Sequence, residues 1–235
     1  MNGKLYGIGV GPGDPELLTL KAKRILEQVE VLLVPKSKME KRSIALEIAK
    51  GAVDKDWQQV DLHMPMTADK AELIKSWQQA AKQIANILQE GKDAAFVTLG
   101  DPSLYSTFTY VMKHIKALAP EALIEIVPGI SSINLMAATY QVPLAESEES
   151  VVIIPALKDK ESLEQTINQF DNVVLLKAGN QIQKLSDILA ELGQEKDFYY
   201  ASRCGFADSY YTEDITELLD RKLDYLSTII IKKKK

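Results

Sequence analysis

A chain of 235 residues, 46% of them hydrophobic, carries enough apolar material for the cores of one or two globular domains. Its 28 basic and 33 acidic residues leave a net charge of -5, which argues against a nucleic-acid surface, and the single cysteine, Cys204, rules out an internal disulfide. No apolar run reaches the ~18 residues that span a bilayer and no signal-peptide pattern opens the sequence; His63 and His114 stand far apart, so a cytoplasmic protein without its own metal is expected.

The first predicted strand, Leu5 to Val10, runs into alternate glycines at 7, 9, 11 and 13 and two prolines, Pro12 and Pro15. This loop fails both phosphate fingerprints. In G-x-G-x-x-G the third glycine falls on Pro12 or Asp14, and no glycine is followed five residues later by Gly-Lys. Prolines also lack the N–H groups a phosphate would take, so the turn suits a flat, weakly charged adenosine or ring system laid against bare backbone. A helix follows, with Asp14 as cap, Pro15 in its first position and Leu17, Leu18, Ile25 and Leu26 facing inward. The second strand, Val29 to Val34, leads into a basic stretch of Lys36, Lys38, Lys41 and Arg42, by itself a solvated loop. Ser43 to Ala49 reads as a short helix and Val60 to His63 as a strand. Leu73, Ile74, Trp77, Ala81, Ile84, Ile87 and Leu88 then hold helical spacing up to Gly91, which makes Trp77 a core residue.

A buried-type strand, Ala94 to Leu99, ends in Gly100-Asp101-Pro102-Ser103 and passes to a helix carrying Tyr105, Phe108, Val111, Met112 and Ile115. Another, Leu123 to Val127, ends in Pro128-Gly129-Ile130-Ser131-Ser132, with one of the serines capping the next helix. Ligands of open α/β sheets bind outside the carboxyl ends of the strands, so these three similar loops are expected to rim one crevice. Further strands at 151–154, 173–177, 198–201 and 226–231 alternate with helices at 162–170 and 181–192. The alternation predicts an α/β protein with parallel or mixed sheets, divided near Pro120 into domains 1–118 and 119–235. Glu146, Glu148 and Glu149 read as an exposed acidic turn, and Lys232 to Lys235 as a solvated tail. A nicotinamide or nucleotide-sugar enzyme would need an acidic residue at the end of the second strand, where Pro35-Lys36 stand instead. A static binding module would show equilibrium binding without turnover.

The segment Gly9-Val10-Gly11-Pro12-Gly13-Asp14-Pro15-Glu16-Leu17-Leu18-Thr19-Leu20-Lys21-Ala22, followed in order by Gly100-Asp101-Pro102-Ser103-Leu104-Tyr105-Ser106 and Pro128-Gly129-Ile130-Ser131-Ser132, resembles the tetrapyrrole methylases over almost the whole chain. Asp101 to Phe108 and Val34-Pro35-Lys36-Ser37 are most similar to the C20-methylating members of corrin synthesis. The resemblance implies two α/β domains with mixed sheets, S-adenosylmethionine in a cleft between them, a homodimer and a place in cobalamin synthesis. The implied substrate is precorrin-2 or its cobalt-bearing oxidised form, cobalt-factor II. By position it implies a donor lined by Pro12, Gly100, Asp101, Leu104, Ser131, Ser132, Lys177, Arg203 and Thr228, and a substrate met by Lys36, Ser37, Lys38 and Tyr105.

Asp101 has two readings, an acceptor for the donor's ribose or amine, or a cap of the following helix. Such substrates bear acetate and propionate carboxylates, which a net-negative protein must receive on local basic groups, and this gives Lys36, Lys38 and Arg42 their interest. No catalytic base is named, because an activated methyl and an enamine-like meso carbon need alignment above all. A ribosomal-RNA or protein methylase is the competing reading within the family, and the charge of -5 counts against RNA.

Overall fold

The computed structural model describes residues 3–38, 42–155, 159–177, 182–192 and 196–234. They form two compact units, Met1–Ser131 and Ser132–Lys235. The first contains, in chain order, β1 (Lys4–Gly9), α1 (Leu20–Gln28), β2 (Val31–Lys36), α2 (Ile44–Ala52), β3 (Gln58–His63), α3 (Lys70–Gln89), β4 (Ala94–Thr98), α4 (Phe108–Leu118) and β5 (Leu123–Val127). Its strands form one parallel sheet in the order β3-β2-β4-β1-β5. Val31 to Val34 and Ala94 to Val97 are buried without alternation, as central strands covered on both faces must be. Against them pack Ala81, Ile84 and Leu88 of α3 and Phe108, Val111 and Ile115 of α4. Gly7 makes room for this layer, since a Cβ there would lie 2.2 Å from the Phe108 ring.

Some elements depart from the expectation. Asp14 caps only a single 3-10 turn, Pro15–Leu17, while Thr19 accepts from the Ala22 N–H and starts α1 at Leu20. Two caps five residues apart thus divide what apolar spacing reads as one helix, leaving Leu17 and Leu18 outside it. β2 runs on through Pro35, which lies past Leu33, the last residue paired with β4, so the missing N–H breaks no bond on that side. Trp77 is only partly buried and stacks on Tyr110, ring centroids 4.4 Å apart. Tyr105 is not a helical residue: α4 begins at Phe108 and Tyr105 has φ +50°.

The second unit contains α5 (Ser132–Tyr140), β6 (Val151–Pro155), α6 (Lys160–Gln169), β7 (Asn172–Leu176), α7 (Ile182–Leu192), β8 (Lys196–Ser202), β9 (Tyr210–Thr212) and β10 (Ser227–Lys233). Its sheet, β6-β7-β10-β8-β9, is mixed, with β10 antiparallel to both neighbours. The core joins Leu163 and Ile167 of α6, Leu185 and Ile188 of α7, and Val173, Leu175, Tyr200, Ile229 and Ile231 of the sheet. β9 has three residues, too few for a readable period, and is fixed by tertiary contacts: the Tyr140 hydroxyl reaches the carbonyls of Tyr200 at 2.6 Å and Thr212 at 2.9 Å.

Lys232 belongs to no solvated tail. It is a strand residue whose ammonium donates to the Pro143 carbonyl at 2.7 Å and to Asn172 Oδ1 at 2.6 Å. Glu149 is likewise anchored, accepting from Asn172 Nδ2 at 3.1 Å. The units divide after Ser131 because β5 pairs along β1 whereas α5 packs against β10; the sequence boundary at 118/119 falls ahead of β5. Among the described residues no helix is long and apolar enough to cross a membrane.

Candidate active site

β4, β1 and β5 are adjacent and parallel, so the loops that follow them leave the same edge of the first unit's sheet. The chain passes to opposite sides of β1 at this edge, the kind of reversal at which open α/β sheets open a crevice. Backbone joins the loops. Val10 N–H donates to the Thr98 carbonyl at 3.0 Å, and Gly11 and Gly100 exchange hydrogen bonds of 3.3 and 2.7 Å. Both glycines need left-handed backbone, with φ of +84° and +69°.

Gly9 and Gly129 are required for a different reason, close approach. A Cβ on Gly9 would lie 2.5 Å from the Gly100 oxygen and 2.7 Å from the Gly129 nitrogen; one on Gly129 would lie 2.3 Å from that same oxygen. The three loops expected to rim one crevice therefore meet in one place within the unit, where they present bare backbone. Pro12, Gly13 and Pro102 are buried beside it, and Ser131 is 8% exposed.

Asp101 holds two of these loops together. Its Oδ1 accepts from the Ser103 N–H at 2.7 Å and from the Ser103 hydroxyl, and its Oδ2 accepts from the Gly129 N–H at 2.9 Å. Burial pushes the carboxyl up, but the bonds from Ser103 and Gly129 outweigh it and keep Asp101 below the usual carboxylate range. Both oxygens are engaged inside the protein, and neither reaches α4, so the structure favours a clamp over a helix cap. The start of α4 is served by Ser106, to which the sequence assigned no role of its own: its hydroxyl accepts from the Phe108 N–H at 3.2 Å and lies 3.0 Å from Thr98 Oγ1. Serine two positions before an apolar helical run was the available signal. Between clamp and cap, Leu104 closes a turn onto the Asp101 carbonyl at 3.3 Å, and Tyr105 is held half-exposed in a left-handed conformation that bulky residues seldom adopt.

Of the residues singled out from sequence, Pro12, Gly100, Asp101, Leu104, Tyr105 and Ser131 thus belong to this loop cluster. Ser132, Lys177, Arg203 and Thr228 gather instead around the start of β10 in the second unit. Ser132 Oγ lies 3.1 Å from Thr228 Oγ1. Lys177 and Arg203 follow β7 and β8 with φ of +62° and +50°, and their N–H groups donate to the carbonyls of Ser227 and Leu226 at 3.0 and 2.9 Å. The Lys177 ammonium lies over the Tyr225 ring, and Arg203 Nε reaches both oxygens of Asp208 at 2.8 Å.

Lys36 and Ser37 stand at the carboxyl end of β2, next to β4 in the sheet, with Lys38 exposed after them. Lys36 Nζ lies 2.6 Å from Asp61 Oδ2 on β3. Arg42 is exposed, and Lys41 falls outside the described residues. Among the described residues no group of His, Cys, Asp or Glu could hold a metal ion. The cluster offers backbone, small side chains and proline rings, a surface for holding a ligand by shape and directed hydrogen bonds.

Residues 4–219 match the Tetrapyrrole (Corrin/Porphyrin) Methylases. The chain is 42% identical over 236 residues to the probable cobalt-precorrin-2 C(20)-methyltransferase of Methanocaldococcus jannaschii, covering 98% of this chain and 96% of that protein. It is 33% identical over 234 residues to the cobalt-precorrin-2 C(20)-methyltransferase of Salmonella typhimurium, with 99% and 98% covered. The fold matches that of the uroporphyrin-III C-methyltransferase from Thermus thermophilus complexed with S-adenyl homocysteine, at a TM-score of 0.67 and 19% identity over 98% of this chain and 92% of that one.

Proposed function

This chain belongs to the tetrapyrrole methylases, and from that premise we propose that it methylates C20 of a corrin precursor in cobalamin biosynthesis, with S-adenosylmethionine as methyl donor. The names of the relatives at 42% and 33% identity favour the cobalt-bearing substrate over precorrin-2. The observation that carries the reading is the meeting of Gly9, Gly100 and Gly129, where any Cβ on Gly9 or Gly129 would strike backbone and where neighbouring prolines offer no N–H to a phosphate.

S-adenosylmethionine supplies a methyl group already activated on positively charged sulfur. The chain's part is to hold and aim it. The family resemblance assigns Ser132, Lys177, Arg203 and Thr228 to the donor, and in the first unit Pro12, Gly100, Leu104 and Ser131 would line it. Asp101 acts from behind, by fixing the loops on which those groups sit. Proper alignment of reacting atoms can supply about 7 to 11 kcal/mol of a barrier, so no general base is invoked. The apolar side chains of Pro12 and Leu104 keep water from the reacting atoms. Lys36, Ser37, Lys38 and Tyr105 receive the macrocycle, the lysines through its carboxylates.

Purified enzyme given labelled donor and, separately, precorrin-2 and cobalt-factor II is expected to add one methyl group to the cobalt-bearing compound faster, as followed by mass. Methylation of neither overturns the reading. Replacing Lys36 and Lys38 together by Ala should weaken tetrapyrrole binding by more than about tenfold and leave donor binding near its original value; equal loss of both would remove the lysines from the substrate side. A homodimer working in the cytoplasm without nucleic acid belongs to the same reading, and sizing by light scattering tests the dimer.

A further inference from the structure

Lys36, at the carboxyl end of β2, is a largely enclosed cation, its side chain 14% exposed. β2 and β3 run parallel with Val34 opposite Asp61 and Lys36 opposite His63, so the lysine reaches back along the strand pair to the carboxylate. Asp61 is occupied on both oxygens: Oδ2 takes Lys36 Nζ at 2.6 Å and Oδ1 takes Gln59 Nε2 at 2.6 Å. A lysine has four rotatable bonds and three donors; one charged hydrogen bond near its tip fixes where the other two donors point. Pro35 immediately before it restricts the backbone that carries the side chain. Lys36 lies on β2, the neighbour of β4, whose loop carries Tyr105, and directly before Ser37 and Lys38.

We propose that Asp61 is a positioning residue for substrate recognition: it holds the Lys36 ammonium so that its remaining donors meet a carboxylate of the tetrapyrrole rim. This rests on the substrate reading above. A partly buried lysine with a fixed anion is preorganised, and the rotamer entropy that a free lysine would lose on binding the substrate is already lost in the folded protein. An exposed lysine such as Lys38 adds attraction at longer range without that precision.

A double-mutant cycle on the full chain tests it, read by two methods. Fluorescence quenching of an octacarboxylate porphyrin measures tetrapyrrole affinity without turnover, and steady-state methylation of cobalt-factor II separates KM from kcat. Asp61→Asn and Lys36→Ala are each expected to weaken porphyrin binding and raise the tetrapyrrole KM about tenfold, with kcat and the dissociation constant for S-adenosylmethionine unchanged. The double variant should be no worse than either single one, because both remove the same interaction. Asp61→Glu, which keeps the charge, should recover part of the loss. Independent, multiplying effects of the two substitutions, or a fall in melting temperature with an unchanged tetrapyrrole constant, would overturn the proposal. Failure of the wild-type enzyme to methylate the substrate would instead count against the function proposed, and the porphyrin arm would still decide the role of Asp61.

Discussion

Replacing Asp101 by Asn would keep the side chain's shape but turn one acceptor into a donor, so either the Ser103 or the Gly129 N–H must lose its partner. An unsatisfied donor of this kind costs about 1 to 3 kcal/mol. The β4 and β5 loops should then separate, and titration calorimetry should show S-adenosylmethionine bound about tenfold more weakly; unchanged affinity would mean that the clamp does not shape the site. At this scale the sequence showed which residue types mattered better than whom they touch. Asp101 was legible as polar and well placed, but one of its two partners, Gly129, is 28 residues away, beyond any local capping rule. Lys36 was legible as a cation, whereas its pairing with Asp61 depends on the register of two strands. Nothing in the identity of Tyr105, Lys177 or Arg203 announces a positive φ; at Lys177 and Arg203 it accompanies backbone hydrogen bonds to Ser227 and Leu226 across the strand ends.

Strands with dense Val, Ile and Leu runs were readable to within a few residues, since burial on both faces leaves a continuous apolar signature. Where two signals competed, the reading slipped. Asp14 and Thr19 are both good caps, and only packing decides that the α-helix starts at the second. The glycines carry two separable constraints that a substitution pair can tell apart. Gly9→Ala sets a methyl 2.5 Å from the Gly100 oxygen, backbone that cannot rotate away, so β1 must shift from the loops after β4 and β5. Overpacking of this sort costs about 1 to 3 kcal/mol or more, and the denaturation midpoint should fall accordingly, with loss of donor binding. Gly11→Ala meets nothing closer than 3.4 Å but must hold φ +84°, a cost of about 1 to 2 kcal/mol with the loop contacts kept. Similar damage to donor binding from both would show that the close approach has no special part.

Over the whole molecule, ionised carboxylates tie elements to one another. Glu125 of β5 is drawn down to about 2 by hydrogen bonds from Lys21 and Lys4, and Asp61, Asp101, Asp171 and Asp214 are also lowered. A carboxyl lower in the folded chain than in the unfolded one stabilises fully above its ordinary value near 4 to 4.5, and that contribution is lost as pH falls through the folded value. The melting temperature should therefore be level from pH 7 to about 5 and drop below it, and Glu125→Gln should flatten the drop at low salt; an unchanged slope would mean the exposed ion pairs contribute nothing. The position of β10 has a further consequence, for synthesis. Because residues 227–233 fill the gap between β7 and β8, a ribosome-bound chain has every strand of its first sheet before the second can be closed. Until those residues emerge, β7 and β8 each keep an open edge able to recruit a neighbouring nascent chain, and a premature stop upstream of 227 would make that hazard permanent.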